Sequence, residues 1–258
     1  MHTALRYLWH WLTAVNEHSL HSPFLFNLYT KTIKRKAVLE DFNSIEQTRE
    51  QLINSREKVS VISLGAESRV NNESVRPVSA IAKRGVTSAR ISKLLFNMIT
   101  DFECKNIIEL GTSFGINTMY MATNPHVKIT TFEGCPNTAA IARKNFDTLG
   151  YSNIDIVIGN IDETLPQFIH QSTNKVDLVF MDANHQLTPT LNYFNQLLKI
   201  SHLQTIIVLD DIYWSAEMTQ AWEELKEHPQ VTTSVDLFAL GILFFKPELE
   251  KAHFRLTY

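Results

Sequence analysis

Side chains that could bind a ligand follow each of five predicted strands between residues 106 and 211. Carboxylates stand at four strand ends and an amide follows the remaining strand: Glu109, Glu133, Asp182, the pair Asp210 and Asp211, and Asn160. In an open parallel sheet, ligands bind outside the carboxyl ends of the strands. The pattern therefore predicts one ligand site at that edge. A simpler alternative stays open, because each acid could cap a helix, and Asp211 could cap the helix after it.

The first of these strands runs into a glycine-bounded loop, Gly111-Thr112-Ser113-Phe114-Gly115. The two glycines allow a sharp turn or a close approach of backbone to a ligand, although a plain strand-to-helix turn would also use them. Dinucleotide-binding folds need a second glycine where this chain has Ser113. The loop therefore favours an adenosine ligand without phosphates, S-adenosyl-L-methionine being the obvious one. Glu133 could accept both hydrogen bonds from its ribose diol.

Apolar strands alternate with helices of ten to fifteen residues from position 106 onward, as in βαβ units of a parallel sheet. We predict an α/β, doubly wound, mostly parallel seven-stranded sheet. Gly150 is expected to end one helix, and Thr188 with Pro189 to begin another. The predicted strands are 106–110, 127–132, 154–158, 176–181 and 205–209, with a closing hairpin of 231–238 and 241–245.

Residues 1–85 are predicted to form a helical N-terminal extension, and residues 86–258 the sheet domain. An apolar stripe of Leu5, Leu8, Trp9 and Leu12 recurs at helical spacing. It could pack on the chain's own sheet, on a second copy in a homodimer, or on another partner. Further along, we expect a polar helix over 38–58, a short strand over 60–65, a loop over 68–76, and a helix capped by Thr87 or Ser88.

Composition narrows the function classes. The 258 residues are 44% apolar and 20% charged with a net charge of −3, which describes an ordinary globular protein without a nucleic-acid or anionic-membrane partner. Arg6 and His10 interrupt the N-terminal apolar segment, which excludes a signal peptide and a membrane span. Two cysteines and no paired motif make the cytoplasm the expected compartment. His10, His18 and His21 are interpreted as surface or packing residues rather than metal ligands.

Residues from about 86 to 246 resemble the class I S-adenosylmethionine-dependent methyltransferases, and most of all the small-molecule O-methyltransferases of the catechol and caffeoyl-CoA type. Four segments carry the resemblance in the right order: Ile-Glu-Leu-Gly-Thr-Ser-Phe-Gly115, Thr-Phe-Glu133-Gly, Val-Phe-Met-Asp182-Ala-Asn-His185 and Ile-Val-Leu-Asp210-Asp211-Ile-Tyr-Trp-Ser215. Only the ordered set is specific, since no single motif is. The first hundred residues match nothing to which a function can be assigned.

The resemblance implies a role for each candidate residue. Glu109, Gly111, Thr112, Ser113 and Gly115 would hold the methionine end of the cofactor, Glu133 the ribose, and Asn160 with Ile161 the adenine. Asp182, Asp210 and Asp211 would hold Mg²⁺ or another divalent cation. Two positions depart from the family pattern: Asp211 replaces the usual asparagine, and His185 stands where the family has a lysine proposed as general base.

The expected function is therefore methyl transfer to the hydroxyl of a small-molecule acceptor, with His185 and Asp182 as catalytic residues. A neutral histidine is a competent base near pH 7, although His185 could instead be an exposed polar residue before a helix. Two alternatives remain. One is another nucleotide-dependent α/β enzyme, and the other is a non-catalytic cofactor-binding or scaffold protein on the same fold.

Overall fold

The computed structural model describes residues 2–35, 42–63 and 72–258. The chain divides into two compact units. The terminal unit consists of residues 1–35 and 172–258, and the central unit of residues 36–171. The boundary predicted at residue 85 stays a prediction. None of the helices in the described ranges is long and apolar enough to cross a membrane.

Helices and strands alternate along most of the chain. The helices are α1 His2–Thr13, α2 Pro23–Asn27, α3 Asn43–Ile53, α4 Val78–Arg84, α5 Ala89–Asp101, α6 Ile116–Met121, α7 Pro136–Leu149, α8 Ile161–Gln171, α9 Leu187–Leu198 and α10 Ala216–Glu227. The strands are β1 Lys58–Ser63, β2 Asn72–Pro77, β3 Asn106–Leu110, β4 Lys128–Glu133, β5 Ile154–Ile158, β6 Val176–Met181, β7 Ser201–Asp210, β8 Thr233–Asp236, β9 Leu240–Phe244 and β10 Ala252–Arg255. A π-helical turn, Leu28–Ile33, continues α2.

The central unit contains three parallel strands in the order β3, β4, β5 and an antiparallel hairpin of β1 and β2. Its core packs aromatic side chains of α3, α6 and α7 together: Phe42 stacks on Tyr120 with ring centroids 4.5 Å apart, and Phe146 belongs to the same cluster. The Tyr120 hydroxyl donates to Glu46 at 2.6 Å. These contacts hold α6 against α3, and thereby fix the helix that follows the glycine loop.

The terminal unit contains five strands in the order β10, β8, β9, β7, β6. β6 and β7 are parallel, whereas β9 runs antiparallel to both β7 and β8. Their side chains form a dry core, in which Trp222 of α10 is fully buried. Because β6 and β7 are parallel and Met181 pairs with Leu209, Asp182 and Asp210 leave the sheet at the same edge.

The predicted α/β class with a mostly parallel sheet is confirmed. Apart from the hairpin of β1 and β2, the two units contain eight strands rather than the predicted seven. The additional strand is β10, which pairs in parallel with β8. Its polar sequence did not indicate a strand. The closing hairpin is confirmed as β8 and β9. Ser88 caps α5 through Ile91 N–H, and Gly150 ends α7 with φ of 76°.

Several local predictions were wrong. Residues 72–76 of the predicted loop belong to β2, because they pair with β1; residues 68–71 lie outside the described ranges. Within the described part of the predicted 38–58 helix, only Asn43–Ile53 is α-helical, and the start of that prediction lies outside those ranges. Helix α9 begins two residues before Pro189, since Glu217 accepts a hydrogen bond from Leu187 N–H at 3.0 Å.

Helix α1 is attached to its unit through a buried carboxylate, Asp236. Its Oδ1 lies 3.2 Å from His10 Nε2 and accepts from Phe238 N–H at 2.8 Å. Its Oδ2 accepts from Tyr213 Oη at 2.6 Å and from Arg255 Nε at 3.2 Å. Burial alone would raise the pKa of Asp236, but the hydrogen bonds from His10, Tyr213 and Phe238 outweigh it and hold that pKa below its ordinary value.

The Asp236→Asn variant is expected to lose about 2 kcal/mol of unfolding free energy at pH 7, because a buried charge-assisted hydrogen-bond cluster is broken. A lowered carboxyl pKa stabilises the folded state above the ordinary carboxyl pKa, and that contribution disappears as pH falls through the folded-state pKa. Urea unfolding at pH 7 and at pH 3 should therefore show a smaller difference between variant and parent at pH 3.

Asp155→Asn provides the matched control, since Asp155 belongs to an exposed ion pair with Lys128 at 3.4 Å. Exposed pairs contribute roughly 0–1 kcal/mol. Equal losses in the two variants would contradict the role assigned to Asp236.

Candidate functional site

The glycine loop of the central unit is fixed from beneath by Glu109, the acidic residue of β3. This side chain is fully buried. Its Oε1 accepts from Asn117 Nδ2 at 2.8 Å, and its Oε2 accepts from Thr118 Oγ1 at 2.5 Å and Thr131 Oγ1 at 2.7 Å. In this arrangement Glu109 turns away from solvent, so its contribution to a ligand site is the position of the loop.

The loop itself combines left-handed backbone with close packing. Gly111, Ser113 and Gly115 have φ of 102°, 49° and 78°. A Cβ on Gly115 would lie 2.3 Å from the Phe146 ring, so both conformation and packing exclude a side chain there. Ser113 adopts the left-handed conformation that a glycine would take without strain, at a cost of roughly 1–2 kcal/mol. Thr112 Oγ1 lies 2.6 Å from Thr131 Oγ1, which ties the loop to β4.

Glu133, at the end of β4, faces the same loop. Its Oε2 accepts from Ser113 N–H at 2.8 Å and its Oε1 from Cys135 N–H at 2.9 Å. Burial raises the pKa of Glu133 above its ordinary value, although the N–H groups of Cys135, Ser113 and Gly134 act in the opposite direction. A carboxylate offers about four acceptor positions. Because the N–H groups of Ser113, Cys135 and Gly134 are directed at it, Glu133 keeps capacity for about one further hydroxyl donor.

Asn160 and Ile161 begin α8 after β5. The Asn160 side chain accepts from Asp162 N–H at 3.0 Å, and its backbone carbonyl accepts from Glu163 and Thr164 N–H. Asn160 thus has a capping function, and Ile161 is the first residue of the helix, partly exposed beside it. Because β3, β4 and β5 are parallel, this helix start lies at the same sheet edge as the glycine loop.

The sequence did not indicate that β1 reaches this edge. Ile62 N–H donates to Cys135 Sγ at 3.4 Å, and Asn137 Nδ2 donates to the Ser60 carbonyl at 2.8 Å. The hairpin therefore lies over the start of α7, next to the Glu133–Cys135 turn. No spacing rule relates residue 60 to residue 137, since only the folded chain brings them together.

The terminal unit holds a separate group of acids at the ends of β6 and β7. Asp210 is buried, and burial followed by the charges of Asp182 and Asp211 raises its pKa well above the ordinary value. Burial also raises the pKa of Asp211, against the effect of His185. Asp211 does not cap the following helix, because Ser215 does so by accepting from Met218 N–H at 3.0 Å.

His185 lies among these carboxylates. Its Nε2 is 3.4 Å from Asp182 Oδ1 and 3.9 Å from Asp211 Oδ2, with about a quarter of the side chain exposed. The loop that carries it is strained, since Asn184 and His185 have φ of 65° and 35°, and Asp211 has φ of 52°. Backbone strain of this kind costs about 1–3 kcal/mol a residue and clusters at functional sites. Four of the six non-glycine residues with positive φ in the described ranges lie in the three candidate loops, which follow β3, β6 and β7.

The three carboxylates have the hard oxygen atoms that Mg²⁺ prefers. Nevertheless, within the described ranges no group of three or more His, Cys, Asp or Glu side chains is arranged to hold a metal ion. His185 Nε2 instead approaches two of the three acids. The donor chemistry fits a divalent cation, the arrangement does not, and the predicted metal site stays a prediction.

Comparison with known proteins assigns the fold around the glycine loop. Residues 108–212 match a family model described as "Methyltransferase domain". They include Glu109, the loop, Glu133, Asn160, Asp182, His185, Asp210 and Asp211. Residues 108–212 of this chain are therefore similar to a methyltransferase domain.

Curated proteins that are similar to this chain include two bacterial catechol O-methyltransferases. The one from Niastella koreensis is 32% identical over 141 residues, which is 52% of this chain and 63% of that protein. The one from Mycobacterium tuberculosis is 26% identical over 132 residues, or 50% of this chain and 58% of that protein. The chain thus spans about three fifths of the length of these relatives.

Solved structures share the methyltransferase fold over more of the chain. An SAH-bound methyltransferase from Podospora anserina has a TM-score of 0.61 at 15% identity, over 88% of this chain and 97% of that one. An O-methyltransferase from Bacillus cereus in complex with SAH has a TM-score of 0.58 at 17% identity, over 83% and 94%. At these identities the likeness is one of fold.

Two glycines of the central unit allow a matched test of the loop. Gly115 and Gly150 have nearly equal φ, 78° and 76°, but a Cβ on Gly150 would meet nothing within 4 Å. Gly150→Ala is expected to cost about 1–2 kcal/mol for the left-handed backbone alone. Gly115→Ala should cost roughly 1–3 kcal/mol more, because Phe146 must move. Urea unfolding measures both, and equal losses would show that the packing against Phe146 is unimportant.

Proposed function

We propose that this protein is an S-adenosyl-L-methionine-dependent methyltransferase that methylates a hydroxyl group of a small-molecule acceptor. The observation that carries the proposal is the pair of hydrogen bonds that orients Glu133 beside the strained Ser113 loop, at the edge where β3, β4 and β5 end. A carboxylate held there suits a ribose diol. The O-methyltransferase relatives support the same reaction class.

The cofactor would be held by residues of the central unit. Gly111, Thr112, Ser113 and Gly115 would present backbone to its methionine end, in the position that Glu109 fixes from below. Glu133 would accept from the ribose hydroxyls, and Asn160 with Ile161 would lie against the adenine. When bound, S-adenosylmethionine would supply a methyl carbon that an oxygen nucleophile can attack in line, with the sulfonium sulfur as the leaving group. Its sulfur keeps the electron pair of the broken carbon–sulfur bond.

Residues of the terminal unit would act on the acceptor. His185 would take the proton from the acceptor hydroxyl at Nε2, so that the oxygen can form the new bond to carbon. Asp182 Oδ1 lies 3.4 Å from that nitrogen and would stabilise the imidazolium once Nε2 has taken the proton. Holding oxygen and methyl group in line can contribute up to about 7–11 kcal/mol. We place no nucleic acid or membrane among the partners.

A divalent cation is a further part of the proposal. Asp182, Asp210 and Asp211 are the residues whose oxygen atoms would suit it, but their arrangement in the described structure does not form such a site, so no step of the proposed transfer depends on it. Asp210 supports this role, because its pKa is raised by burial and by the neighbouring charges of Asp182 and Asp211. A bound cation would relieve that repulsion.

Glu133→Gln should weaken S-adenosylhomocysteine binding about 10- to 100-fold, since the amide offers one acceptor oxygen in place of two. Isothermal titration calorimetry measures this, with exposed Glu163 of α8 replaced by Gln as the control. Because the pKa of Glu133 is raised, affinity should fall with decreasing pH at a higher pH than for an ordinary glutamate. No binding of S-adenosylhomocysteine to the parent protein would refute the proposed cofactor.

His185→Ala should lower kcat for methylation of a catechol-type acceptor by about 10²–10⁴-fold, because the general base is lost. Cofactor affinity should be unchanged, which separates this role from Glu133. His202→Ala is the control: His202 pairs with Asp177 at 2.9 Å and belongs to no candidate site.

The two parts of this assignment can fail separately. Unchanged kcat in His185→Ala would remove the histidine from the mechanism while leaving the reaction class intact. Full activity in the presence of a chelator would remove the cation. Cofactor binding without turnover on any hydroxyl acceptor would favour the non-catalytic alternative.

A further inference from the structure

Helix α1 has its polar and apolar sides the opposite way round from an ordinary surface helix. Such a helix turns its apolar stripe to the core and its polar side to solvent. In α1, Arg6, His10 and Thr13 contact the terminal unit instead. Arg6 donates to Thr219 Oγ1, His10 is buried beside Asp236, and Thr13 accepts from Arg255 Nη1 at 2.6 Å. The described polar side chains of α1 therefore make their contacts with other residues of this unit.

The apolar side of α1 is exposed as a result. Six large side chains there are 51% to 65% exposed: Leu5, Tyr7, Leu8, Trp9, Trp11 and Leu12. Tyr7 and Trp9 lie at its two borders, where Tyr7 meets the edge of Phe238 and Trp9 lies under the Arg255 guanidinium. Of the three alternatives for the stripe, its exposure disfavours packing on the chain's own sheet and leaves a second copy or another partner. We call these six side chains the outer face of α1.

The outer face is large for a monomer. Aromatic side chains bury about 150–250 Å² each, so three at this exposure and three leucines leave on the order of 600 Å² of apolar surface on one helix. Single copies of soluble proteins rarely expose contiguous apolar patches above a few hundred Å², whereas a stable dimer buries about 800 Å² on each partner. The area matches most of one half of such an interface.

We propose that the outer face of α1 binds the same face of a second copy of this chain, so that two α1 helices pack across a two-fold axis. The face carries no charge among its described side chains, so that it complements itself. Leu5, Leu8, Trp9 and Leu12 recur at i, i+3, i+4 and i+7, the spacing by which helices interdigitate. A two-fold interface uses one patch twice and needs no other surface.

Charge argues against an anionic membrane as the occupant. Helices that lie in a membrane interface place Lys and Arg on the polar face, where lipid headgroups meet them. Arg6, the one cation among the described α1 side chains, is directed at Thr219 and lies 5.8 Å above the Tyr213 ring. It is thus held within the chain.

Sedimentation velocity of the full chain tests the proposal. The parent protein should sediment at twice the chain mass of 29.6 kDa at micromolar concentration. Leu12→Glu should raise the dissociation constant by 100-fold or more, because two charges would be buried at the axis. Leu203→Glu is the matched control, since Leu203 is 60% exposed elsewhere in the same unit, and it should stay dimeric. A monomeric parent, or an equal effect of both variants, would overturn the proposal.

A cysteine variant keeps the test valid if Leu12→Glu fails to fold. Leu8→Cys places one thiol on each copy near the proposed axis and should form an intermolecular disulfide under mild oxidation. Leu203→Cys should not do so at the same concentration, and the native Cys104 and Cys135 are both buried and outside any disulfide. No enrichment of the Leu8→Cys disulfide over that control would count against the interface. So would a parent that is monomeric and binds phosphatidylcholine vesicles with a blue shift of tryptophan fluorescence.

Discussion

A buried carboxylate with three side-chain donors determines the geometry of the candidate cofactor site. Glu109 accepts from Asn117, Thr118 and Thr131, and so connects β3 to α6 and to β4. An ionised carboxylate is costly to bury unless such donors replace its water. Because Asn117 and Thr118 lie in the first turn of α6, the same bonds fix the helix that must begin at Gly115. The loop conformation is thus imposed from beneath, and a ligand need not order it.

The sequence predicted the elements better than the roles of single residues. Alternation of apolar strands and helices was enough to predict the parallel sheet and the edge at which acids gather. It could not tell that Glu109 points inward, because Thr131 becomes its neighbour only when β3 and β4 pair, 22 residues apart along the chain. The same reason explains α9, whose start depends on Glu217, 30 residues after Leu187. Spacing predicts local structure, whereas partners of this kind are set by tertiary contacts.

Helix α1 shows a related limit. Its apolar stripe predicted a helix correctly, but periodicity does not say which side faces the protein. That choice is made by Asp236, which lies 226 residues from His10 and is unfavourable to bury without donors. Arg6, His10 and Thr13 supply polar contacts on one side of the helix. These contacts outweigh the free energy that would be gained by burying the six apolar side chains on the other side. In α1, the need of the buried Asp236 carboxylate for hydrogen-bond donors therefore outweighs the usual tendency of apolar side chains to face the core.

In the acid cluster, burial and the neighbouring carboxylates outweigh the hydrogen bond that the Asp211 backbone gives to Asp210. Asp210 is buried beside two further carboxylates, and Asn184, His185 and Asp211 hold left-handed backbone. Glycine at these positions would relieve the strain, and an apolar residue at Asp210 would remove the burial of charge. Either change would also remove the imidazole or carboxylate groups that could act on an acceptor. A fold selected for stability alone would have neither feature. Their occurrence together, at the ends of two adjacent parallel strands, is what a site that binds or transforms a ligand requires.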